Sequence, residues 1–258
     1  LLVLTGATGF IGRRLQTVCL RAGYRVRALI RPESKNLANL VAGCETCLVR
    51  LSDPAALSRA VSDAKAVVYC AGAVRGVAPV DFAPANIDGI ENIAQALERL
   101  PSRPPLLLIS SLAASQPELS HYAKSKRMGE QVLHARPGLA WTIFRPPAVY
   151  GPGDRELEPL LRSIRSGIAL VPGPLSQRLS LLHVDDLGSA VAAWLNSPEA
   201  CEHSVYAIDD GRAGGYDWPA IVAAVSTGRS FRLHLPKPVL SFAATVNGLG
   251  ARIFRYSP

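Results

Sequence analysis

The first twelve residues constrain the fold more than any other stretch of the chain. An apolar run, Leu1–Thr5, leads into a glycine-rich turn and then into an amphipathic segment, which is the order strand, turn, helix. In that order Gly6 permits a tight turn, Gly9 lets backbone approach a ligand, and Gly12 lets the helix pack closely on the strand. The free N–H groups at the helix N-terminus suit a pyrophosphate. The stretch predicts a dinucleotide site with contacts from Gly6, Thr8, Gly9, Phe10, Ile11 and Gly12.

Strand-like runs alternate with helical patterns through the first two thirds of the chain. The runs are Leu1–Thr5, Arg25–Ile30, Thr46–Arg50, Ala66–Cys70, Leu106–Ser110 and Ala140–Phe144. Such alternation requires parallel strands joined by right-handed crossovers, with helices on both faces. The pattern loosens after Pro146, where proline and glycine are frequent. We therefore predict an α/β fold: a Rossmann-type doubly wound parallel sheet in residues 1–145, and a smaller substrate-binding lobe in residues 146–258 that is interleaved with elements returning to the sheet.

Composition excludes several classes of protein. The chain has 258 residues, of which 48% are hydrophobic, and its longest apolar runs are far shorter than the ~20 residues of a membrane helix. The first strand has no charged leader before it, so we expect a cytoplasmic protein. The net charge of +8 comes from dispersed Arg and Lys residues without a clustered arm, so an anionic cofactor or substrate accounts for it better than a nucleic acid does.

The five cysteines are odd in number and lie mostly in apolar periodic segments, which predicts reduced core residues. Cys44 and Cys47 have the spacing of metal ligands. No second pair and no nearby histidine accompanies them, so we expect no metal.

The end of the second strand indicates the choice of cofactor. An NAD site places Asp or Glu about 20 residues beyond the glycines, where it holds the ribose hydroxyls. This chain has Arg31 there, and Lys35 or Arg13 could support it. A guanidinium pairs well with the 2′-phosphate of NADP, so we expect NADP rather than NAD. The alternative interpretation is a solvated basic edge.

Two further strand ends are candidates for cofactor contacts. Asp53 follows the third strand, where an adenine would lie, but Pro54 after it also fits an N-cap followed by the first helical position. The fourth strand ends in small residues that would let a ribose–nicotinamide unit lie against the backbone: Ala71, Gly72 and Ala73.

A strand ending in two hydroxyls precedes a helical segment that carries a tyrosine and a lysine. The strand ends in Ser110 and Ser111, and Tyr122 and Lys126 are four residues apart, hence on one helix face. Hydride transfer at a carbonyl or alcohol needs a proton carrier, and a phenol with a pKa near 10 is a poor base at neutral pH. A lysine ammonium favours the phenolate, and a serine hydroxyl can hydrogen-bond the reacting oxygen. A Tyr-x-x-x-Lys spacing alone is common on amphipathic helices; its combination with the glycine turn and the strand-end serines favours catalysis.

With these motifs the sequence resembles the short-chain dehydrogenase/reductase superfamily, on its extended or atypical side, also called NAD-dependent epimerase/dehydratase. The resemblance covers nearly the whole chain, and its marks are Thr5–Gly12, Asp53, Asn86, Ser110–Ser111, Tyr122, Lys126, Phe144–Gly153 and His183–Asp186. It implies that Ser111, Tyr122 and Lys126 form a catalytic triad in which the last two also hold the cofactor. It further implies nicotinamide contacts from Pro146 and Val149, and it gives His183–Asp186 a structural role at the start of a helix.

The resemblance leaves three functions open. We expect an NADP-dependent oxidoreductase that acts on a carbonyl or alcohol of a small, apolar molecule. Arg145–Gly153 and the apolar tail resemble 3-beta-hydroxysteroid dehydrogenase-like members, whose substrates are lipids, and this keeps a membrane contact open. The alternatives are a nucleotide-sugar epimerase or dehydratase and a non-catalytic NADP-binding sensor. Ala148 stands where sugar-nucleotide members usually carry Asn, and no arginine motif for a diphosphate follows near the C-terminus. The apolar run Val239–Leu249 could cover the pocket, contact a membrane surface or bury in a homodimer.

Overall fold

A computed structural model of the chain describes residues 1–172, 174–226, 228 and 231–235. In its first part strands and helices alternate. The elements are β1 Leu2–Thr5, α1 Phe10–Arg21, β2 Val26–Ile30, β3 Glu45–Leu48, α2 Pro54–Val61, β4 Ala66–Tyr69, α3 Pro79–Ala83, α4 Gly89–Glu98, β5 Leu106–Ile109, α5 His121–His134 and β6 Trp141–Arg145.

Further along the chain the elements are shorter and less regular. They are β7 Ala148–Tyr150, α6 Glu158–Arg165, β8 Ile168–Pro172, β9 Leu181–His183, α7 Val184–Asn196, β10 Ser204–Ala207, α8 Trp218–Val225 and β11 Phe231–Leu235.

Seven strands form one parallel sheet in the order β10-β6-β5-β4-β1-β2-β3. All residues of β1, β4 and β5 are buried, and their sequences are continuous apolar runs rather than alternating ones. This pattern is typical of central strands whose two faces are both covered by helices. The predicted Rossmann-type doubly wound sheet is therefore confirmed.

The described chain forms two compact units. The first contains Leu1–Pro146 and Val184–Ile208, so α7 and β10 return to the main sheet after an excursion. The second contains Pro147–His183 and the described residues from Asp209 onwards, with β7 paired to β9 and β8 paired to β11. Its small core is built from Ile164, Ala169, Val171, Trp218, Ile221 and Val222. The first segment of the first unit ends at Pro146, one residue beyond the predicted boundary, and a substrate-binding role for the second unit stays a prediction.

The segment from Asn86 to Ala96, whose sequence pattern predicts a long helix, begins differently from a regular α-helix. The segment Pro84–Asp88 has π-helical hydrogen bonding, and the α-helical part, α4, starts only at Gly89. The buried Tyr69 donates a hydrogen bond of 2.7 Å from its hydroxyl to the Ala85 carbonyl within this wider turn. A Cβ on Gly89 would lie 2.2 Å from the Tyr69 hydroxyl, so glycine is required there. Periodicity alone does not reveal such a local widening.

The five cysteines are all free thiols, but the expectation that they are core residues holds only for Cys19. Cys19 is fully buried, whereas Cys44, Cys47, Cys70 and Cys201 are half-buried. The apolar run Val239–Leu249 lies outside the described residues.

Candidate active site

The glycine turn has the geometry that its sequence predicts. Gly6 has φ +65°, and a Cβ there would lie 2.6 Å from the Ala71 backbone nitrogen. A Cβ on Gly12 would lie 2.1 Å from the Gly6 carbonyl oxygen, so α1 can start this close to β1 only with glycine. The first helical hydrogen bond runs from the Arg13 N–H to the Gly9 carbonyl, 2.9 Å. The N–H groups of the residues before Arg13 are therefore at the helix N-terminus, where an anion is favoured.

Two polar side chains hold this turn in place, and the sequence analysis did not identify either. The fully buried Gln16 donates from Nε2 to the Ala7 carbonyl at 2.7 Å and accepts from the Val41 N–H at 2.9 Å. The Thr5 hydroxyl oxygen accepts hydrogen bonds from the N–H groups of Cys70 and Ala71, both 3.1 Å. The ends of β1 and β4 are thereby tied side by side.

A cavity of about 690 Å³ lies at the carboxyl ends of β1, β2, β3 and β4. A ligand at this edge of an open parallel sheet is the rule for doubly wound folds. Seven of the predicted cofactor residues line the cavity: Gly6, Thr8, Gly9, Arg31, Ala71, Gly72 and Ala73.

The other predicted cofactor contacts lie in different places. Phe10 and Ile11 form the first turn of α1, half-buried. Pro146 is buried, and its carbonyl accepts the Leu112 N–H at 2.8 Å, beside Ser111. Val149 belongs to the second unit, where β7 places it opposite Leu182 of β9.

Asp53 has the alternative role that the sequence left open. Its carboxylate caps α2 by accepting the Ala56 N–H at 2.9 Å, and Pro54 takes the first helical position. Among the described residues that line the cavity, Arg50, Leu51 and Ser52 represent this loop, whereas Asp53 does not.

An acidic residue that the sequence analysis missed also lines the cavity. Glu33 lies two residues after Arg31 and forms an ion pair with Arg50, which comes from the loop after β3. The pKa of Glu33 is lowered, because its own backbone N–H, Arg50 and Arg31 favour the charged carboxylate. This part of the cavity therefore carries two guanidinium groups and one ionised carboxylate.

The two strand-end serines face different partners. The Ser110 hydroxyl is buried and donates to Oε1 of Glu130 at 2.6 Å. The Ser111 hydroxyl caps the following 3₁₀ turn by accepting the Ala113 N–H at 3.2 Å, and it lies near enough to the Tyr122 phenol to act on its pKa. Ser111 and Tyr122 are therefore brought together, and Ser110 is not part of that pair.

Tyr122 lies at the start of α5 and is half-buried, with its ring 6.2 Å from that of Phe82 of α3. Burial raises the pKa of the Tyr122 phenol, and the nearby Ser111 hydroxyl opposes this rise. A phenol with a raised pKa is protonated at neutral pH, so it can donate a proton.

Lys126 is 6% exposed and lies one turn along α5 from Tyr122. Its Nζ donates to the Ile109 carbonyl at the end of β5, 2.9 Å away. Burial lowers the pKa of Lys126 to about 8, although Cys70 and Glu130 both act to raise it. A Cβ on Gly72, which lines the cavity, would lie 3.8 Å from this Nζ, so the ammonium is close to the cavity wall.

Asn86 connects the π-helical segment to the edge of the cavity. It is fully buried; its side chain accepts from the Ala73 N–H and donates to the Ala73 carbonyl, both 2.9 Å. It also donates to the Ser125 hydroxyl of α5 at 2.9 Å. Asn86 thus fixes the strand end after β4 against the helix that carries Tyr122 and Lys126.

The part of the chain that the structure describes contains no group of three or more His, Cys, Asp or Glu side chains that could hold a metal ion. None of the helices in this part is both long enough and apolar enough to cross a bilayer.

A strand, a glycine turn without room for a Cβ, a helix N-terminus and a cavity at the strand ends together define a dinucleotide-binding protein of the Rossmann class. The residues present fit an NAD(P) cofactor, because the turn accepts a phosphate and the small residues after β4 form the cavity wall. Comparison with known families agrees: the model of the NAD dependent epimerase/dehydratase family matches residues 2–208. The chain belongs to this family and is an NAD(P)-dependent oxidoreductase.

Several known proteins are similar to this chain. It is 34% identical over 248 residues to a ceramide reductase of Caulobacter vibrioides, covering 95% of this chain and 76% of that protein. It is 28% identical over 234 residues to a 2-alkyl-3-oxoalkanoate reductase of Stenotrophomonas maltophilia, covering 81% and 70%. Among solved structures, the Thermus thermophilus UDP-glucose 4-epimerase complexed with NAD superposes with a TM-score of 0.75 at 21% identity, covering 91% of this chain and 86% of that one. This last likeness concerns the fold alone.

Proposed function

We propose that the protein is an NADP(H)-dependent reductase that acts on a ketone of a small, apolar molecule through Ser111, Tyr122 and Lys126. The observation that carries the proposal is the position of the buried Nζ of Lys126, one helical turn along α5 from Tyr122: it donates to the Ile109 carbonyl, two residues before Ser111, and lies 3.8 Å from where a Cβ on Gly72 would stand in the cavity wall. Ser111 follows β5 of the sheet whose neighbouring strands β1 to β4 end at the cavity, but Ser111, Tyr122 and Lys126 are not among the described residues that line it.

The bound nicotinamide would supply the hydride, and the chain's own groups would handle the proton. Tyr122 would donate its phenolic proton to the carbonyl oxygen, because burial keeps the phenol protonated at neutral pH. Ser111 would then donate a hydrogen bond to the reacting oxygen, and the Lys126 ammonium would stabilise the phenolate that remains. A protonated phenol is the form that the reductive direction needs, because reduction of a ketone consumes a proton.

Arg31 supports the preference for NADP. It lines the cavity after β2, where the ribose hydroxyls of NAD would need a free carboxylate. Glu33 is the nearby acid, and its ion pair with Arg50 commits its carboxylate to another partner. Arg31 would pair with the 2′-phosphate, which a guanidinium recognises well.

The apolar substrate is supported by the names of the two reductases similar to this chain, one acting on a ceramide and the other on a 2-alkyl-3-oxoalkanoate. Ala148, in place of the Asn usual in sugar-nucleotide members, favours the same class.

Turnover can be tested by following NADPH oxidation with three substrates: a 2-alkyl-3-oxoalkanoate, a long-chain 3-oxo ester and, for the alternative function, UDP-glucose. We expect oxidation with one or both ketones and none with UDP-glucose, and epimerisation of the UDP-glucose would be scored separately. Tyr122→Phe keeps the ring and its contact with Phe82, so it should lose turnover while the Kd for NADPH is unchanged. Wild-type turnover in Tyr122→Phe would remove Tyr122 from the mechanism, and epimerisation without net oxidation would replace the proposed reaction.

Cofactor choice can be tested without a substrate by calorimetric titration of NADP and NAD. Arg31→Ala should weaken NADP binding by ~1.5–3 kcal/mol, roughly 10- to 150-fold, and leave NAD binding unchanged. Lys65→Ala removes an exposed charge just before β4, at the end of that strand opposite the cavity, and should change neither Kd. Equal affinities for the two cofactors in the wild type would contradict the preference.

A further inference from the structure

Glu130 of α5 is an ionisable group that the proposed reaction does not use, and none of its surface is exposed. Arg145, at the end of β6, donates to both of its carboxylate oxygens, from Nε to Oε1 at 2.9 Å and from Nη2 to Oε2 at 2.6 Å. Ser110, just after β5, donates to Oε1 at 2.6 Å, and Arg127 approaches Oε2 at 3.4 Å. The pKa of Arg145 is raised by this pairing.

Folding stability alone does not account for this cluster. A buried ion pair contributes about as much stability as apolar side chains of similar volume, because desolvation offsets the attraction. The cluster does fix the orientation of the Glu130 and Arg145 side chains, because bidentate pairing of a guanidinium with a carboxylate allows only one geometry. It joins α5 to the ends of β5 and β6, and Lys126 lies one turn before Glu130 on the same helix.

We propose that Glu130 is a positioning residue: clamped by Arg145 and Ser110, it sets the register of α5 against the ends of β5 and β6 and so holds Nζ of Lys126 on the Ile109 carbonyl. The role of Lys126 in catalysis rests on the reaction proposed above. The effect of Glu130 on Lys126 can be measured without any substrate, through the titration midpoint of the Lys126 ammonium.

The groups around Lys126 determine what should be measured. Cys70 from the end of β4 and Glu130 from α5 itself both raise the pKa of Lys126, against the effect of burial. From the helices packed on α5, Asp81 of α3 accepts backbone N–H groups of Val77 and Ala78, and Glu91 of α4 is paired with Arg136. Removing the charge of Glu130 should therefore lower the pKa of Lys126, and removing that of Glu91 should not.

The experiment is an NMR titration of the lysine ¹⁵Nζ signals in the full, cofactor-free chain. The sequence has five lysines, so the Lys126 signal can be assigned by its loss in Lys126→Met. In Glu130→Gln we expect the midpoint of the Lys126 titration to fall by about half a pH unit. The matched control is Glu91→Gln, which removes a different ion pair, between α4 and Arg136 just after α5, and should leave the midpoint at its wild-type value.

Glu130→Gln leaves Arg145 without its partner and could unfold the chain, so a double variant is needed. Glu130→Gln with Arg145→Met removes both charges, which buried pairs commonly tolerate, and should show a smaller fall in the midpoint, because losing the Arg145 cation acts in the opposite direction. An unchanged midpoint in the folded single or double variant, or an equal fall in Glu91→Gln, overturns the proposal.

If the ketones of the preceding assay are reduced, Glu130→Gln should lower kcat with little change in KM and shift the alkaline limb of the kcat profile to lower pH. If kcat and the yield of folded protein both fall while the alkaline limb of the kcat profile stays in place, Glu130 has a structural role only and the proposal is overturned. If no ketone is reduced, the proposed function fails, while the NMR midpoint still decides the role of Glu130.

Discussion

The three glycines of the first turn have separable roles, and a pair of alanine substitutions distinguishes two of them. A Cβ on Gly12 would lie 2.1 Å from the Gly6 carbonyl oxygen, against an ordinary contact of 3.4 Å or more. Neither atom is at the end of a flexible side chain, so α1 must move away from the turn. A Cβ on Gly9 would lie 3.3 Å from its nearest neighbour, the same carbonyl oxygen, and Gly9 itself lines the cavity.

The expected magnitudes follow from these contacts. Gly12→Ala should cost about 2–3 kcal/mol of unfolding free energy, as overpacking of a buried site does. For a chain of this size that lowers Tm by roughly 4–12 °C. Gly9 has φ −79° and ψ 173°, which any residue adopts, so Gly9→Ala should keep or slightly raise the stability. Its new methyl group would occupy the space where backbone approaches the pyrophosphate, and the Kd for NADP should rise at least about tenfold, or 1.4 kcal/mol.

Thermal unfolding with and without NADP measures both effects in one assay. The wild-type Tm should rise with NADP, the Gly9→Ala Tm should start at or above the wild-type value and rise little, and the Gly12→Ala Tm should start low. Stability loss in Gly9→Ala, or full stability in Gly12→Ala, would refute the division of roles.

Three further predictions concern residues around the site. Because burial lowers the pKa of Lys126 to about 8, the unfolded chain holds a proton that the folded protein releases between about pH 8 and 10.5, and stability should rise with pH in that window. Denaturant unfolding should show the wild type gaining stability over Lys126→Met from pH 8 to pH 10; a constant difference contradicts the shift. Asp53→Ala should lose about 1 kcal/mol of stability with the cap on Ala56, and calorimetry should show an unchanged Kd for NADP; a weaker Kd would restore an adenine-binding role to Asp53. Tyr69→Phe should cost about 1–3 kcal/mol in chemical denaturation by leaving the Ala85 carbonyl unpaired, and a neutral result would show that water replaces the hydroxyl.

Much of the fold could be predicted because it depends on local patterns. The glycine spacing requires a tight approach of α1 to β1, and buried parallel strands such as β5 are continuous apolar runs. The structure agrees on the order and type of these elements and shifts their ends by one or two residues. The ends are less predictable, because pairing with a neighbouring strand, rather than composition, decides where a ladder stops.

The site was predicted less completely, because long-range partners leave no periodic signal. Ser110 and Ser111 are adjacent and chemically identical, yet Ser110 donates to Glu130, whereas Ser111 caps a 3₁₀ turn and acts on the Tyr122 phenol. The ion pair of Glu33 with Arg50 joins residues 17 apart in sequence. Such groups can be distinguished only by their neighbours in space. The spacing of Glu130, four residues after Lys126 on the same helix face, was nevertheless a signal that the sequence analysis could have used.

The first unit is built from two separate segments of the chain, so its sheet can stay assembled when the connection between them is cut. The chain crosses between the units after Pro146, after His183 and after Ile208. Residues 184–208 complete the first unit through contacts that are not covalent: the Trp194 indole donates to the Thr142 hydroxyl at 3.0 Å, and that hydroxyl donates to the Cys201 carbonyl at 2.9 Å. A protease cut inside Pro147–His183 would therefore leave two polypeptides still bound as one sheet, whereas a gene truncated after Pro146 would encode a sheet that lacks β10 and exposes the edge of β6.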